Sequence, residues 1–220
     1  MTTGILHVGD QTLSLTETVT NLLRNSIMTG DLSLGQPVSE VMLSKKYNVG
    51  KTPARESLFK LKQEGIVNII PQKGSFIYDP SLQDVIDLCN FRAYIEPLAI
   101  KEAMFDKEDE FLDCLEIILT KMNQLLKRGN IKAYQQVDNE FHMTFFDYCT
   151  NPHLKDIYKS VSTKASAIRS NITSNLTMEM AKFTNNHHDE IFNLLTAGKV
   201  DAAISILTAH IQLAKSEFVK

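Results

Sequence analysis

From residue 81 onward the chain repeats one pattern: apolar residues three and four positions apart, broken by joints of a few polar residues. Six such runs, 81–105, 108–127, 131–149, 152–169, 177–195 and 199–218, are each long enough for an amphipathic helix. The joints are as short as KRGN and TAGK. A connection of that length returns the chain beside the helix it has just left, so the pattern predicts an all-α antiparallel bundle over 80–220.

Residues 1–79 read differently. Apolar residues at helical spacing over 15–28 end in TGDLSLGQP, where Gly30, Gly35 and Pro37 supply stop and turn signals. Ser39 can cap a short second helix running to about Lys46, and KTPARESLFKLKQEG gives a third that ends at Gly65. Pro53 falls in the first turn of that third helix, where its missing N–H does no damage. The stretch IVNIIPQKGSFIYDP then reads as a two-stranded hairpin around PQKG. Three helices and a hairpin are the order of a winged helix-turn-helix. The predicted fold is mainly α, a winged helix-turn-helix over 1–79 and the bundle over 80–220, with YDPSLQD as the boundary.

Composition excludes several classes. With 43% apolar and 22% charged residues, the 220-residue chain is neither fibrous nor disordered. No segment approaches the roughly 18 uninterrupted apolar residues of a membrane span, and the first residues lack a basic start with a long apolar run. A soluble, cytoplasmic protein with no membrane partner is expected. Cys89, Cys114 and Cys149 are odd in number and far apart, which supports neither a disulfide framework nor a paired-cysteine zinc site.

The net charge of −3 hides an uneven distribution. Lys45, Lys46, Lys51, Arg55, Lys60 and Lys62 face only Glu56 among the acids between 45 and 62, whereas from 80 to 220 acidic residues outnumber basic ones by 19 to 15. Lys51, Thr52, Arg55 and Lys62 are left facing outward on the third helix. A recognition helix reads bases with the side chains of its N-terminal turns while nearby cations hold phosphates. Arg55, one turn in, suits guanine; Lys51 and Thr52 suit a base edge or phosphate, and Lys73 and Gly74 at the hairpin tip suit the backbone or minor groove. Lys45 belongs to the same basic patch.

Within the bundle, Asp138 and His142 lie one turn apart on the face of Phe141 and Phe145, where an ionised carboxylate needs a partner. His188 falls on the stripe of Ile191 and Leu195, and His210 on that of Ala203 and Leu207. Counted from Gly198, the two histidines lie at depths of roughly 15 and 18 Å, nearly level. His187 also fits its stripe, and periodicity does not choose between it and His188. His153, at a helix start, reads as a surface residue, and His7 as a bystander in an N-terminal arm. A lone histidine on such a face is usually a hydrogen-bonded core residue; four inward polar groups at compatible depths suit zinc or a similar cation.

The motifs carry a resemblance. The run from Leu22 to Ile77, with Gly30, Gly35, Thr52-Pro53-Ala54-Arg55-Glu56-Ser57-Leu58 and Pro71 to Gly74, resembles the winged-helix domain of the GntR family of bacterial transcription regulators. Where that family has Ser or Thr then Arg before Thr-Pro, this chain has Gly50 and Lys51, which removes a capping oxygen and a bidentate fork. Asp-x-x-x-His, then His-x-x-Ile, then a final histidine resembles the metal-binding effector domain of FadR-type members. That resemblance implies a divalent metal, zinc or nickel, on Asp138, His142, His188 and His210, with Gly198 at the family's turn favouring His188 over His187. At the start of the helical half, Arg92, Ile95-Glu96 and Ala99 match the family's Arg, Glu and Ala pattern. Four apart, Arg92 and Glu96 also form a simple helix-surface ion pair; the resemblance gives Arg92 a second reading, gripping an anionic effector.

The expectation is a homodimeric, non-enzymatic transcription regulator, binding a double-stranded DNA operator through two winged helices and answering a small organic-acid effector at the metal. One alternative keeps the regulator and makes the metal purely structural. A more distant one is an HD-type phosphohydrolase, suggested by His188-Asp189.

Overall fold

The computed structural model describes residues 13–172 and 177–218, so His7 lies outside the described residues. The elements run α1 (Leu15–Met28), β1 (Pro37–Val38), α2 (Glu40–Tyr47), α3 (Lys51–Gln63), β2 (Val67–Ile70), β3 (Gly74–Ile77), α4 (Leu82–Asp106), α5 (Glu108–Lys127), α6 (Ile131–Tyr148), α7 (Pro152–Ile172), α8 (Met178–Thr196) and α9 (Val200–Phe218). They form two compact units. Among the described residues, one holds those up to Ile27 together with Gly35–Asp79; the other holds Met28–Leu34 together with those from Pro80 onward.

In the first unit, α1 buries Val19, Leu23 and Ile27, one turn apart, in a core shared with Leu43 of α2 and Ala54, Leu58 and Leu61 of α3. Ser39 caps α2 by accepting from the Met42 N–H at 3.1 Å, and Asn48 ends it in the left-handed region, φ 51°. Gly50 starts α3 from an extended conformation with no side-chain cap. The hairpin expected from the sequence becomes a three-stranded antiparallel sheet in the order β1-β3-β2, with Val38 opposite Ser75 and Val67 opposite Ile77. β1 is two residues long and begins at a proline, so it carries no alternation that periodicity could detect.

The second unit is the helical bundle. Ser81 and Asp84 form a reciprocal capping box at the start of α4. α5 ends at Gly129 and α8 at Gly198, both left-handed, with φ 70° and 69°. In each case the residue after the glycine donates back to the helix's last turn, Asn130 N–H to the Leu125 carbonyl at 3.0 Å and Lys199 N–H to the Leu194 carbonyl at 2.8 Å. α5 packs against α6 and α8, α4 against α9 and α6, and α8 against α9. Phe111, Phe141 and Phe145 fill the centre, with the Phe141 and Phe145 rings edge-to-face at 5.2 Å.

The segment Met28–Leu34 lies on this unit as a strap. The Leu34 N–H donates to the Asn171 side chain at 3.2 Å, Asp31 pairs with Lys132, and Gly30, with φ 72°, sits where a Cβ would lie 3.5 Å from Ser170.

Candidate metal centre

Four side chains on three helices meet inside the bundle. α6 supplies Asp138 and His142, α8 supplies His188 and α9 supplies His210; one ligand atom from each lies within 4.8 Å of all the others. The His188 and His210 Nε2 atoms are 3.3 Å apart, and His188 Nε2 is 3.4 Å from Asp138 Oδ1. His142 and His188 are wholly buried and His210 nearly so. His187 is half-buried, its ring 5.8 Å from that of His210 and 4.9 Å from that of Phe183, and it stands outside the group of four. His153 is exposed.

Helix α4 supplies the layer behind the histidines. Glu96 Oε2 lies 2.8 Å from His142 Nδ1, and Glu96 Oε1 accepts from Arg92 Nε at 2.6 Å. The surface ion pair that Arg92 and Glu96 suggest by spacing is instead buried, with Arg92 at 3% and Glu96 at 0% exposure. Spacing of i and i+4 is the same on any face of a helix, and packing decides which face is inside. Arg92 Nη2 also approaches His142 Nδ1, at 3.3 Å. Arginine only donates and a carboxylate only accepts, so the shorter contact fixes the proton on Nδ1. His142 Nε2 therefore carries a bare lone pair, buried and without a hydrogen-bond partner.

A second buried arginine completes the surroundings. Arg169 of α7 donates through Nε to Asn139 Oδ1 at 2.8 Å and stands 3.6 Å from Asp138 Oδ2. Sequence reasoning missed Arg169, Asn139 and the service of Glu96. The available signal was the position of Asn139 beside Asp138 and of Arg169 beside Ile168, a weak one. Burial pushes all three histidine pKa values down, that of His188 to about 4, with like charge from the arginines adding to the shift. Burial alone would raise the Asp138 carboxyl, but His188, His142 and Arg169 hold it below its usual value. The site thus offers neutral imidazoles and an ionised carboxylate at neutral pH, the protonation states a metal ion requires.

Two of the separations match such an ion. Bonds of about 2.1 Å place neighbouring ligand atoms about 3.4 Å apart in a tetrahedron or about 3.0 Å in an octahedron. The 3.3 and 3.4 Å separations fall in that range. The pairing of His142 Nδ1–H with Glu96 has the form of the carboxylate–histidine support found behind metal-ligating imidazoles.

Asp189 does not join the site. Its carboxylate accepts from Asn123 at 3.3 Å and Asn185 at 3.0 Å, beside an open cavity of about 400 Å³ lined also by Lys127 and Lys182. In the first unit, Lys45, Lys51, Thr52, Arg55, Lys73 and Gly74 are all exposed, the last two at the hairpin tip. Arg55 is not solitary: it is bound side-on by Glu40. Among the described residues, no helix is long and apolar enough to cross a membrane.

Comparison with known proteins agrees with this layout. Residues 15–77 match the family described as bacterial regulatory proteins, gntR family, and residues 87–213 match the FCD domain. The chain is 27% identical to the Nta operon transcriptional regulator of Aminobacter aminovorans over 81% of its length and 82% of that protein's. It is 25% identical to the uncharacterized HTH-type transcriptional regulator YdhC of Bacillus subtilis over 64% of each chain. The solved structure of E. coli McbR/YncC superposes with a TM-score of 0.81 at 17% identity, covering 91% of this chain and 95% of that one. Since the FCD match spans more than half of the chain and the gntR match adjoins it, the chain belongs to the GntR family of bacterial transcription regulators and carries an FCD domain.

Proposed function

We propose that the chain is a ligand-responsive regulator in which residues 1–79 bind an operator and residues 80–220 dimerise and bind the effector. Asp138, His142, His188 and His210 hold a divalent cation, zinc or nickel, that leaves coordination positions for a small carboxylate. The observation that carries this reading is the convergence of three buried histidines and the part-buried Asp138, with His142 Nε2 left without a hydrogen-bond partner. A bound cation supplies a Lewis-acidic centre for the effector carboxylate. Arg92, on the same interior face of α4, is the cation the carboxylate meets beside it. Lys51, Thr52 and Arg55 enter the major groove, while Lys45, Lys73 and Gly74 hold the backbone. A homodimer then takes two half-sites of a two-fold operator, and effector binding changes the affinity of both. This reading is non-enzymatic: Asp189, the acid of the His-Asp pair, is turned to Asn123 and Asn185 and stands outside the group of four.

Metal analysis of the purified chain tests the site. About one ion per chain is expected, and its loss in a His142→Ala/His210→Ala variant; equal metal in both proteins refutes the assignment. A second reading, a purely structural cation, draws on the near-complete burial of the three histidines, since four protein ligands can close a tetrahedral shell. An effector response that persists after the metal is stripped favours that second reading.

A further inference from the structure

Arg55 and Glu40 form a bidentate pair on the surface of the first unit. Arg55 Nε lies 2.7 Å from Glu40 Oε1, and Nη2 lies 3.3 Å from Oε2. Their side chains are 62% and 32% exposed, so the pair contributes little to stability. Its effects are on geometry and charge. Glu40 is the first residue of α2, and its backbone is set by the Ser39 cap. Arg55 begins the second turn of α3, with Ala54 and Leu58 buried on either side of it in the sequence. Two helix starts, each fixed by its own core contacts, therefore bring carboxylate and guanidinium face to face.

We infer that Glu40 is a positioning residue for base readout, holding one edge of the Arg55 guanidinium so that only its other edge is offered to DNA. The inference rests on the reading of α3 as the recognition helix. A guanidinium has two forks that match a pair of acceptors: the side fork of Nε and Nη2, and the end fork of Nη1 and Nη2. Glu40 fills the side fork. The end fork remains, and it is one that pairs with the O6 and N7 of guanine. Fixing the plane of the guanidinium removes rotamers that would otherwise be frozen on binding. Glu40 also cancels one positive charge near the groove, which weakens attachment to arbitrary phosphates more than attachment to the right base. Glu40 thus raises discrimination rather than affinity.

The test uses the full chain. An operator is selected from a random duplex pool by the wild-type protein, and Kd is measured by fluorescence anisotropy for that operator and for a scrambled duplex across a salt series. Glu40→Ala is expected to bind the scrambled duplex more tightly, with a salt slope steeper by about one. Its operator-to-scrambled ratio should fall by about tenfold, the scale of one well-placed bidentate contact. Glu40→Gln, which keeps an acceptor for Nε but drops the charge, should bind scrambled DNA more tightly while retaining the selected base preference. Thermal melting of both variants should match wild type. An unchanged ratio in Glu40→Ala, whether both affinities stay fixed or rise together, overturns the inference. If the wild type selects no preferred duplex, or Arg55→Ala binds the operator as wild type does, the recognition-helix reading itself fails, and those two measurements do not involve Glu40.

Discussion

Neutralising Glu96 removes two supports at once, because the same carboxylate takes the Arg92 guanidinium on one oxygen and the His142 Nδ1–H on the other. Glu96→Gln should lower metal affinity by roughly 10- to 100-fold, the usual cost of losing an outer-shell carboxylate. It should also destabilise the fold by about 3 kcal/mol, since Arg92 is left buried with its charge uncompensated. A chelator competition and a denaturant titration read the two effects separately; a variant that keeps both wild-type values would show that Glu96 serves neither partner. Residues of this kind mark how far the sequence could be read. Asp138, His142 and His210 were legible because each interrupts an apolar stripe with a polar group, whereas for His188 the stripe left His187 open and the family resemblance favoured His188. Glu96 was not legible, because it lies 46 positions from His142 and an Arg–Glu pair reads the same on a wet face as on a dry one. Arg169 was hidden for a related reason: a charge near the end of a helix is ordinarily solvated, and only packing brings it to Asp138.

At the scale of elements, the joint between α8 and α9 sets the level at which His188 meets His210. Gly198 holds that turn in the left-handed region with no atom within 4 Å of where a Cβ would stand. The cost of Gly198→Ala is therefore one of backbone conformation, about 1–2 kcal/mol, and not of a clash. The strain falls ten residues from His188 and twelve from His210, so on the proposed assignment metal affinity should drop along with stability. Gly198→Asn, a residue that tolerates the left-handed region, should recover most of both. Chelator titration and thermal melting of the pair decide it; equal losses in the two variants would mean that the turn conformation is not what the glycine supplies. The joints themselves were plain in the sequence, since glycine after an apolar stripe is a stop signal with a physical cause. β1 was not, because two residues hold no period.

At the scale of the whole molecule, the buried histidines tie stability to pH. Their folded pKa values lie below the ordinary 6.5, so the unfolded chain takes up protons that the folded chain refuses. For the metal-stripped protein, stability should be flat above about pH 6.5 and fall as the pH drops from there toward about 4, where His188 protonates in the folded state. Asp138, with its lowered pKa, adds nothing to the change until the pH falls below its ordinary 3.8. Melting temperatures between pH 8 and pH 4.5 check the shape, and a curve flat to pH 5 would contradict it. Adding zinc at pH 7.5 should raise the melting temperature, because an ion that binds only the folded state stabilises it by mass action.

The strap has a consequence for how such a protein can be taken apart. Because Met28–Leu34 packs with the helical unit while the residues on both sides of it belong to the other, the chain crosses between units three times. A hybrid regulator joined at residue 80 would carry the strap away and leave Asn171 and Lys132 facing a foreign loop. Interchangeable parts would have to be cut at 28, 34 and 80, with the strap travelling as cargo of the sensor rather than of the DNA reader.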